Sequence, residues 1–154
     1  MTDKYDIITG GTELQDKIAP MWEFQRLHHV KVSTHFSAET ARITWAERKE
    51  GLLKRAMGME FRIEIVREGD QDIGYYIAVA APGQEGEVES LHVRDEFRGK
   101  GIGGMLMKRC IAWIKDVGTK SICLFVAEGN DKAFAFYERL GFRRRAVKMV
   151  LKES

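Results

Sequence analysis

The chain has 154 residues, of which 44% are hydrophobic and 31% charged, values typical of one soluble globular domain, here spanning residues 1–154. Its formal net charge is only +2, which gives no general case for a nucleic acid or a membrane as partner. No apolar run approaches the roughly 18 residues that cross a bilayer, and the N-terminus lacks the apolar core of a secretion signal, so we expect a cytoplasmic protein.

The first third of the chain predicts one strand and two helices. Residues 5–9 (YDIIT) form a short β-rich run. Thr12 followed by Gln15 matches a capping box, so a helix is expected to begin there, with Pro20 interrupting or restarting it. Ser37 is expected to cap a second helix that runs to about Met57.

The rest of the chain predicts five strands and two helices. Apolar alternation or continuous apolar runs predict strands at 61–67, 73–81, 87–93, 121–127 and 142–151. Helices are predicted from about Gly101 to Val117 and from about Asn130 to Leu140, with Gly118 and Gly141 ending them. The resulting order predicts a mixed α/β sheet with an antiparallel meander, one parallel crossover and helices on its faces.

A glycine-rich loop lies where the 101–117 helix begins. The stretch from Arg98 to Gly104 contains Gly99, Lys100, Gly101, Ile102 and Gly103. Glycines allow close backbone approach and positive φ, and the free N–H groups at a helix start attract an anion. The loop therefore predicts a cradle for phosphate or pyrophosphate.

The glycine pattern of the loop is compatible with two phosphate-containing ligands. G-x-G-x-x-G is the dinucleotide fingerprint, and Glu128 lies where an acidic residue would hold a ribose. Against that interpretation, the polar connector RDEFR separates the preceding strand from the glycines, and only 26 residues follow Glu128. The overlapping R-x-x-G-x-G pattern points to a different phosphate ligand.

A second motif favours the other ligand. L-x-V at Leu91 and Val93 precedes R-G-K-G-I-G, and N-x-x-A-x-x-x-Y-x-x-x-G-F follows from Asn130 to Phe142. With both motifs in this order, the span from Glu87 to Phe142 resembles the GNAT superfamily of acyl-CoA-dependent N-acyltransferases. Asp95 departs from the family pattern, which often has proline there.

The resemblance implies a GNAT-like fold with splayed central strands and acetyl-CoA as co-substrate. The pyrophosphate would lie on the backbone of the glycine loop, and the pantetheine arm would run along the 87–93 strand. A backbone N–H near Leu91 to Val93 would stabilise the oxyanion. The residues expected to contact acetyl-CoA are Leu91, His92, Val93, Arg98, Gly99, Lys100, Gly101, Ile102, Gly103, Gly104, Asn130, Ala133 and Phe134.

The implied reaction is direct attack of an amine on the thioester through a tetrahedral intermediate. An alkylamine arrives mostly protonated at pH 7, so a base must deprotonate it. Glu89 and Glu87 are the two candidates, expected on the same strand face as Leu91 and Val93, with Glu89 slightly favoured. By the motif, Tyr137 would give a proton to the leaving thiolate.

The acceptor is not identified by the sequence. Aromatic and histidine residues in the first two helices and the meander, among them Trp22, His28 and His29, suit an amine or ammonium group. Adjacent histidines point to different helix faces, and Cys110 and Cys123 have no partner at ligand spacing, so we expect no metal and two free thiols.

Two other functions remain open: a non-catalytic acyl-CoA-binding module of the same fold, and a nicotinamide-dinucleotide-dependent oxidoreductase. A homodimer through the C-terminal strand or the helices is compatible with the expected fold. The basic run from Arg143 to Arg145 is expected to be a solvated edge of the last strand.

Overall fold

A computed structural model describes residues 4–153 as a five-stranded sheet with helices on both faces. The strands are β1 (Asp6–Gly10), β2 (Glu60–Glu68), β3 (Gln71–Ala80), β4 (Glu85–Val93) and β5 (Ser121–Leu124). The helices are α1 (Gln15–Val32), α2 (Ser37–Arg42), α3 (Trp45–Ala56), α4 (Ile102–Val117) and α5 (Asp131–Arg139). Short 3-10 turns lie at Thr12–Leu14 and Asp95–Phe97.

The strand order is the sequence order. β1 to β4 form an antiparallel meander, and β5 pairs with β4 in parallel after the crossover through α4. This confirms the predicted mixed α/β sheet and places β5 at one edge.

Apolar residues cover both faces of the sheet. On one face, α1 and α3 bury Ile18, Met21, Leu52, Ile63, Ile65, Tyr75 and Ile77. On the other, α4 buries Val66, Ile73, Tyr76, Ala78, Val88, Leu106, Met107, Cys110 and Ile114 with their neighbours. The two faces are called here the α1 face and the α4 face.

Glu64 is an acid buried within the α4 face. Arg109 of α4 donates to both of its carboxylate oxygens at 2.9 Å, and the hydroxyls of Tyr76 and Thr9 donate at 3.0 and 2.6 Å. Burial alone would raise the pKa of Glu64, but these donors outweigh it and lower the pKa to about 2. The network fastens α4, which carries the glycine loop, to the sheet.

The single helix predicted for 37–57 is wrong, since α2 and α3 are separate. α2 ends at Arg42, and Thr44 accepts from the Glu47 backbone N–H at 3.2 Å as the N-cap of α3. Ser37 does not cap α2; its hydroxyl donates to the carbonyls of Val30 and Ser33. Pro20 lies inside a continuous α1.

The predicted strand 142–151 is also absent from the described residues. After α5, Gly141 has a φ of +102°, and no helix or strand follows it up to residue 153. β5 is shorter than predicted, ending at Leu124 rather than Ala127.

Candidate active site

A cleft of about 870 Å³ opens between β4 and the segment that follows β5. Its walls are residues 88–93 on one side and residues 124–127 on the other. The glycine loop, the start of α4 and α5 also line the cleft, and α1 contributes Gln25, His28 and His29. This volume lies in the range of small-molecule and cofactor sites.

The cleft exists because β4 and β5 separate. They pair only from Glu85–Ser121 to Val88–Leu124, and beyond that β4 continues to Val93 paired with β3 but not with β5. This is the separation of central strands that the sequence resemblance implied. Backbone groups of β4 beyond Val88 therefore have no β5 partner.

A β-bulge on β4 lies where the strands separate. Ser90 pairs with Ile77 and Val88 pairs with Ala78, so Glu89 is the extra residue. The bulge reverses the alternation, and Leu91 and Val93 point to the α4 face with Val88. The expectation that Glu87 and Glu89 share a face with Leu91 and Val93 is therefore wrong.

Glu87 and Glu89 instead meet the arginines of α3. Arg55 donates to Glu87 Oε1 at 2.6 Å and to Glu89 Oε2 at 2.9 Å. Arg48 donates to the Glu89 carbonyl at 3.0 Å, and its Nη1 lies 3.5 Å from Glu89 Oε1. Glu89 lines the cleft, whereas Glu87 lies outside the lining.

The pKa of Glu87 is raised above the usual carboxyl value. Burial is the main cause, the charge of Glu89 adds to it, and Arg55 acts in the opposite direction. The two carboxyls form one coupled pair that shares Arg55 as counter-ion. A raised carboxyl pKa is suited to accepting a proton near neutral pH.

The glycine loop takes the conformation that its composition predicts. Gly99 and Gly101 have φ of +78° and +83°, in the left-handed region that favours glycine. Gly101 caps the N-terminus of α4, whose first N–H groups therefore face the cleft end. An anion placed there would meet both free N–H groups and the positive end of the helix dipole.

Basic side chains surround this end of the cleft. Arg98 lines it while donating to the Val93 carbonyl at 3.0 Å, and Lys132 and Arg139 approach from α5. The sequence reasoning did not select Lys132 or Arg139, although both lie on the predicted helix next to the second motif. Lys100 is outside the lining and stacks on Phe97, 5.3 Å from the ring centroid.

The sequence did not identify Gln25 of α1 as a site residue, although it lies one helical turn from Met21 and Trp22. Its Nε2 donates to the Leu91 carbonyl at 3.1 Å, and its Oε1 accepts from Tyr75 at 2.5 Å and from Ser90 at 3.0 Å. Gln25 thus ties α1 to the bulged part of β4 and fixes that wall of the cleft. A single polar residue within the apolar stripe of α1 was the available signal.

The histidines near the cleft are held neutral. His92 is only 5% exposed, and burial, with the charge of Arg98, lowers its pKa to about 4. Burial likewise lowers the pKa of His28 and His29, which line the cleft from α1. At neutral pH these rings offer uncharged donors and acceptors.

Tyr137 of α5 lines the cleft from the side opposite β4. Its ring packs edge-on against Phe136 and Phe142, with centroid separations of 5.2 and 5.9 Å. Burial raises its pKa to about 12, so the hydroxyl keeps its proton at neutral pH. A protonated phenol in a cleft wall can donate to a departing anion.

The remaining residues of the second motif divide between cleft and surface. Asn130 and Ala133 line the cleft. Asn130 begins α5, yet its side chain makes no capping hydrogen bond, so the predicted side-chain cap is not present. Phe134 lies outside the lining and is covered by the Arg144 guanidinium, 4.0 Å from its ring centroid.

Glu128 is engaged in the structure. Ser33 donates its hydroxyl to Glu128, and the backbone N–H groups of Thr34 and His35 donate at 2.7 and 3.2 Å. The Ser33 hydrogen bond is the main cause that lowers the pKa of Glu128. The carboxylate that a dinucleotide would need for its ribose therefore holds the loop between α1 and α2.

Residues 4–153 contain neither a metal-holding cluster nor a membrane-spanning helix. Within that range, no three His, Cys, Asp or Glu side chains are arranged to hold a metal ion. None of its helices is both long and apolar enough to span a membrane.

Comparison with known sequences supports an acyltransferase family. The model of the Acetyltransferase (GNAT) family matches residues 21–142. A mycothiol acetyltransferase of Parafrankia sp. is 40% identical over 66 residues, which are 43% of this chain and 20% of that protein. The chain thus matches only about a fifth of that relative's length.

Solved structures show the same fold. A putative acetyl transferase from Pyrococcus furiosus superposes with a TM-score of 0.70 at 23% identity, covering 97% of this chain and 99% of that one. An aminoglycoside N-acetyltransferase solved in complex with CoA superposes with a TM-score of 0.64 at 13% identity, covering 97% and 94%.

Proposed function

Since the chain belongs to the acetyltransferase (GNAT) family, we propose that it transfers an acetyl group from acetyl-CoA to a primary amine of a small molecule, amino acid or peptide. The observation that carries the proposal is the cleft that begins at the Glu89 bulge, with a glycine loop at one end and Tyr137 in its wall. It places an anion cradle, free strand backbone, a carboxyl pair and a phenol around one space.

Acetyl-CoA fits the residues present. The left-handed Gly99 and Gly101 leave open space where a Cβ would stand, and Arg98, Lys132 and Arg139 add positive charge for its phosphates. The part of β4 from Leu91 to Val93 has no β5 partner, and its Leu91 and Val93 carbonyls accept from Gln25 and Arg98. The other backbone groups on that edge would be available to the pantetheine amides. Acetyl-CoA would supply an activated acyl group at the separated strands.

We assign the proton transfers to the carboxyl pair and Tyr137. Glu89, which lines the cleft, would take the proton of the acceptor ammonium, with Glu87 beside it and Arg55 between them. The free amine then attacks the thioester carbonyl, which forms the C–N bond, and the C–S bond breaks as the tetrahedral intermediate collapses. Tyr137 would give its proton to the leaving thiolate. The nitrogen then releases its second surplus proton to water, from which the Tyr137 phenolate is reprotonated after it has protonated the thiolate.

Thermal unfolding with acetyl-CoA, CoA or NADH added in turn tests the ligand. A ligand at about 100 times its dissociation constant stabilises a protein by roughly 2.7 kcal/mol, which shifts the melting temperature by several degrees. We expect the shift with acetyl-CoA and CoA only. A shift with NADH alone would overturn the proposal and return the dinucleotide interpretation.

Replacing Tyr137 with Phe separates an enzyme from a non-catalytic binding module. Phe keeps the contacts with Phe136 and Phe142 and removes only the hydroxyl. Turnover with a panel of amines is measured by the release of free thiol, and we expect it to fall by about 10²-fold. The shift in melting temperature that acetyl-CoA causes should stay unchanged. A wild-type chain that binds acetyl-CoA but releases no thiol with any amine would favour the binding module.

A further inference from the structure

The cleft wall opposite β4 is fastened to the helices through one side chain. Residues 125–127 and Asn130 belong to that wall, and β5 has already ended at Leu124. Within residues 4–153, every hydrogen bond that joins residues 125–130 to an element other than α5 is accepted by the Glu128 carboxylate. The position of the wall therefore depends on what Glu128 holds.

Glu128 holds the loop between α1 and α2. One carboxylate oxygen accepts from the Ser33 hydroxyl, and the other accepts from the backbone N–H groups of Thr34 and His35 at 2.7 and 3.2 Å. Ser33 Oγ in turn accepts from the Phe36 backbone N–H at 2.9 Å. We call the three contacts of Glu128 the Glu128 clamp. Thr34 and His35 are exposed, so water can replace the carboxylate at their N–H groups at little cost in stability.

A glycine beside the clamp brings the two segments into direct contact. Gly129 has a φ of +87°, and an added Cβ there would overlap the carbonyl of Val32 at the end of α1. Only glycine combines this backbone conformation with so close an approach. The wall and the end of α1 therefore lie against each other at the clamp.

α1 is tied to both walls of the cleft. Gln25 donates to the Leu91 carbonyl of β4 at 3.1 Å, and the Glu128 clamp holds the loop that follows the helix. His28 and His29 lie between these two ties and line the cleft. α1 thus crosses the gap between the walls, and the clamp sets how far the second wall lies from it.

We propose that Glu128 is a positioning residue for the acceptor amine, because its clamp sets the distance between α1 and residues 125–127. This inference rests on the acetyl transfer proposed above. The phosphates and the pantetheine arm are assigned to the glycine loop and to Leu91–Val93 of β4, which Glu128 does not contact. The α1 side chains and residues 125–127 then border the amine, and Phe125 on that wall is 84% exposed and open to a ligand.

Steady-state kinetics of Glu128→Ala with one amine measures this role. We expect KM for the amine to rise about tenfold, with kcat near its wild-type value, since the variant loses binding that the ground state and the transition state share. Isothermal titration should give an unchanged dissociation constant for acetyl-CoA. A carboxylate that served only folding would lower the melting temperature and would leave the amine KM unchanged.

Two matched variants separate the clamp from a general loss of charge. Glu128→Gln keeps an oxygen that can accept from Thr34 and His35, so it should restore most of the wild-type KM. Glu13→Ala removes a carboxylate that also accepts a loop N–H, that of Gly11 at 2.9 Å, just before the other end of α1. Glu13 lies outside the cleft lining, so its loss should leave the amine KM unchanged.

Amide hydrogen exchange tests the clamp without acetyl transfer. In the wild type and in Glu128→Gln, we expect the Thr34 and His35 amides to be protected, because each donates to residue 128. In Glu128→Ala both should exchange at the rate of an open loop. The Phe36 amide, which donates to Ser33, is the internal reference.

Three results would overturn the positioning role. One is a pair of Thr34 and His35 amides that exchange freely in the wild type, which would mean that the clamp does not hold. Another is an unchanged amine KM in Glu128→Ala although both amides have lost protection. The third is an affinity for acetyl-CoA that falls as much as that for the amine. A wild type that acetylates no amine while both amides stay protected would instead refute the proposed function, and with it any role at the amine.

Discussion

The β4–β5 pair has a closed half and an open half, and they differ in what fills the space between strands and helices. In the closed half, Glu85–Val88 pair in register with Ser121–Leu124. There Gly86 lies so close to α4 that an added Cβ would overlap Ile114 Cγ2. In the open half, β4 continues from Glu89 to Val93 without a β5 partner and borders the cleft.

One inserted residue separates the two halves. Glu89 interrupts the alternation, so the strand twists and β5 no longer follows it. The closed half is therefore a packing element, whose changes should alter stability. The open half is a binding element, whose changes should alter activity with little effect on folding.

Glu87 and Glu89 lie where the closed half meets the open half, and replacing them should have the largest effect on activity. We expect Glu89→Gln to lower kcat/KM by about 10²- to 10⁴-fold, because a glutamine cannot accept the ammonium proton. Glu87→Gln is the matched control, two residues earlier on the same strand. It should lower kcat/KM by less, because Glu87 lies outside the cleft lining. Steady-state kinetics with one amine gives both values, and a larger loss for Glu87→Gln would exchange their roles.

Gly86→Ala tests the closed half. The added methyl group would press on Ile114 and Thr119, so we expect the free energy of unfolding to fall by about 1–3 kcal/mol. Gly51→Ala is the control, because that helical position has open space and alanine there should stabilise α3. Urea unfolding measures both. An unchanged urea midpoint for Gly86→Ala would mean that the packing of the closed half adjusts to the added methyl group, so that the closed half is not the tightly packed element described above.

The open half was the more predictable from sequence. The glycine loop and the start of α4 were predicted because glycine spacing and helix ends are local signals. Tyr137, which lines the cleft, was predicted from the second motif through the family resemblance. The parallel crossover followed from element order alone. A bulge leaves no local signal, so the reversed faces of Leu91 and Val93 could not be read from alternation.

Contacts between residues far apart in the sequence were also not predicted. Arg55 reaches Glu87 and Glu89 from 32 and 34 residues away, and Gln25 reaches Leu91 from 66 residues away. Residues 142–151 are rich in residues typical of strands, but a local sequence pattern does not tell which strand, if any, a segment pairs with.

Gly101→Ala tests the loop at the end of the open half. No atom lies within 4 Å of the added Cβ, so the cost arises from the φ of +83° alone, about 1–2 kcal/mol. We expect acetyl-CoA affinity to weaken roughly tenfold as the loop leaves its binding conformation. Isothermal titration measures it. Gly104→Ala, inside α4 with equal open space, is the control for the added methyl group, and equal losses at both positions would assign the effect to ligand contact instead.

Arg55→Gln makes the smallest change and tests the carboxyl pair without removing it. Arg55 opposes the upward shift in the pKa of Glu87, so its loss should raise that pKa further. Glu87 shares Arg55 with the base Glu89, and protonation of Glu87 would change the charge beside that base. We therefore expect the acidic limb of the kcat/KM profile to move to higher pH, and the activity measured at pH values well above the limb to fall by less than the activity on the limb. Lys54→Gln is the control, because Lys54 pairs only with Glu50 at 3.3 Å among the described contacts and should leave the limb in place. A limb that stays fixed in Arg55→Gln would mean that this carboxyl pair does not carry the titration that limits the reaction, and the base would have to be sought among the neutral histidines of the same cleft.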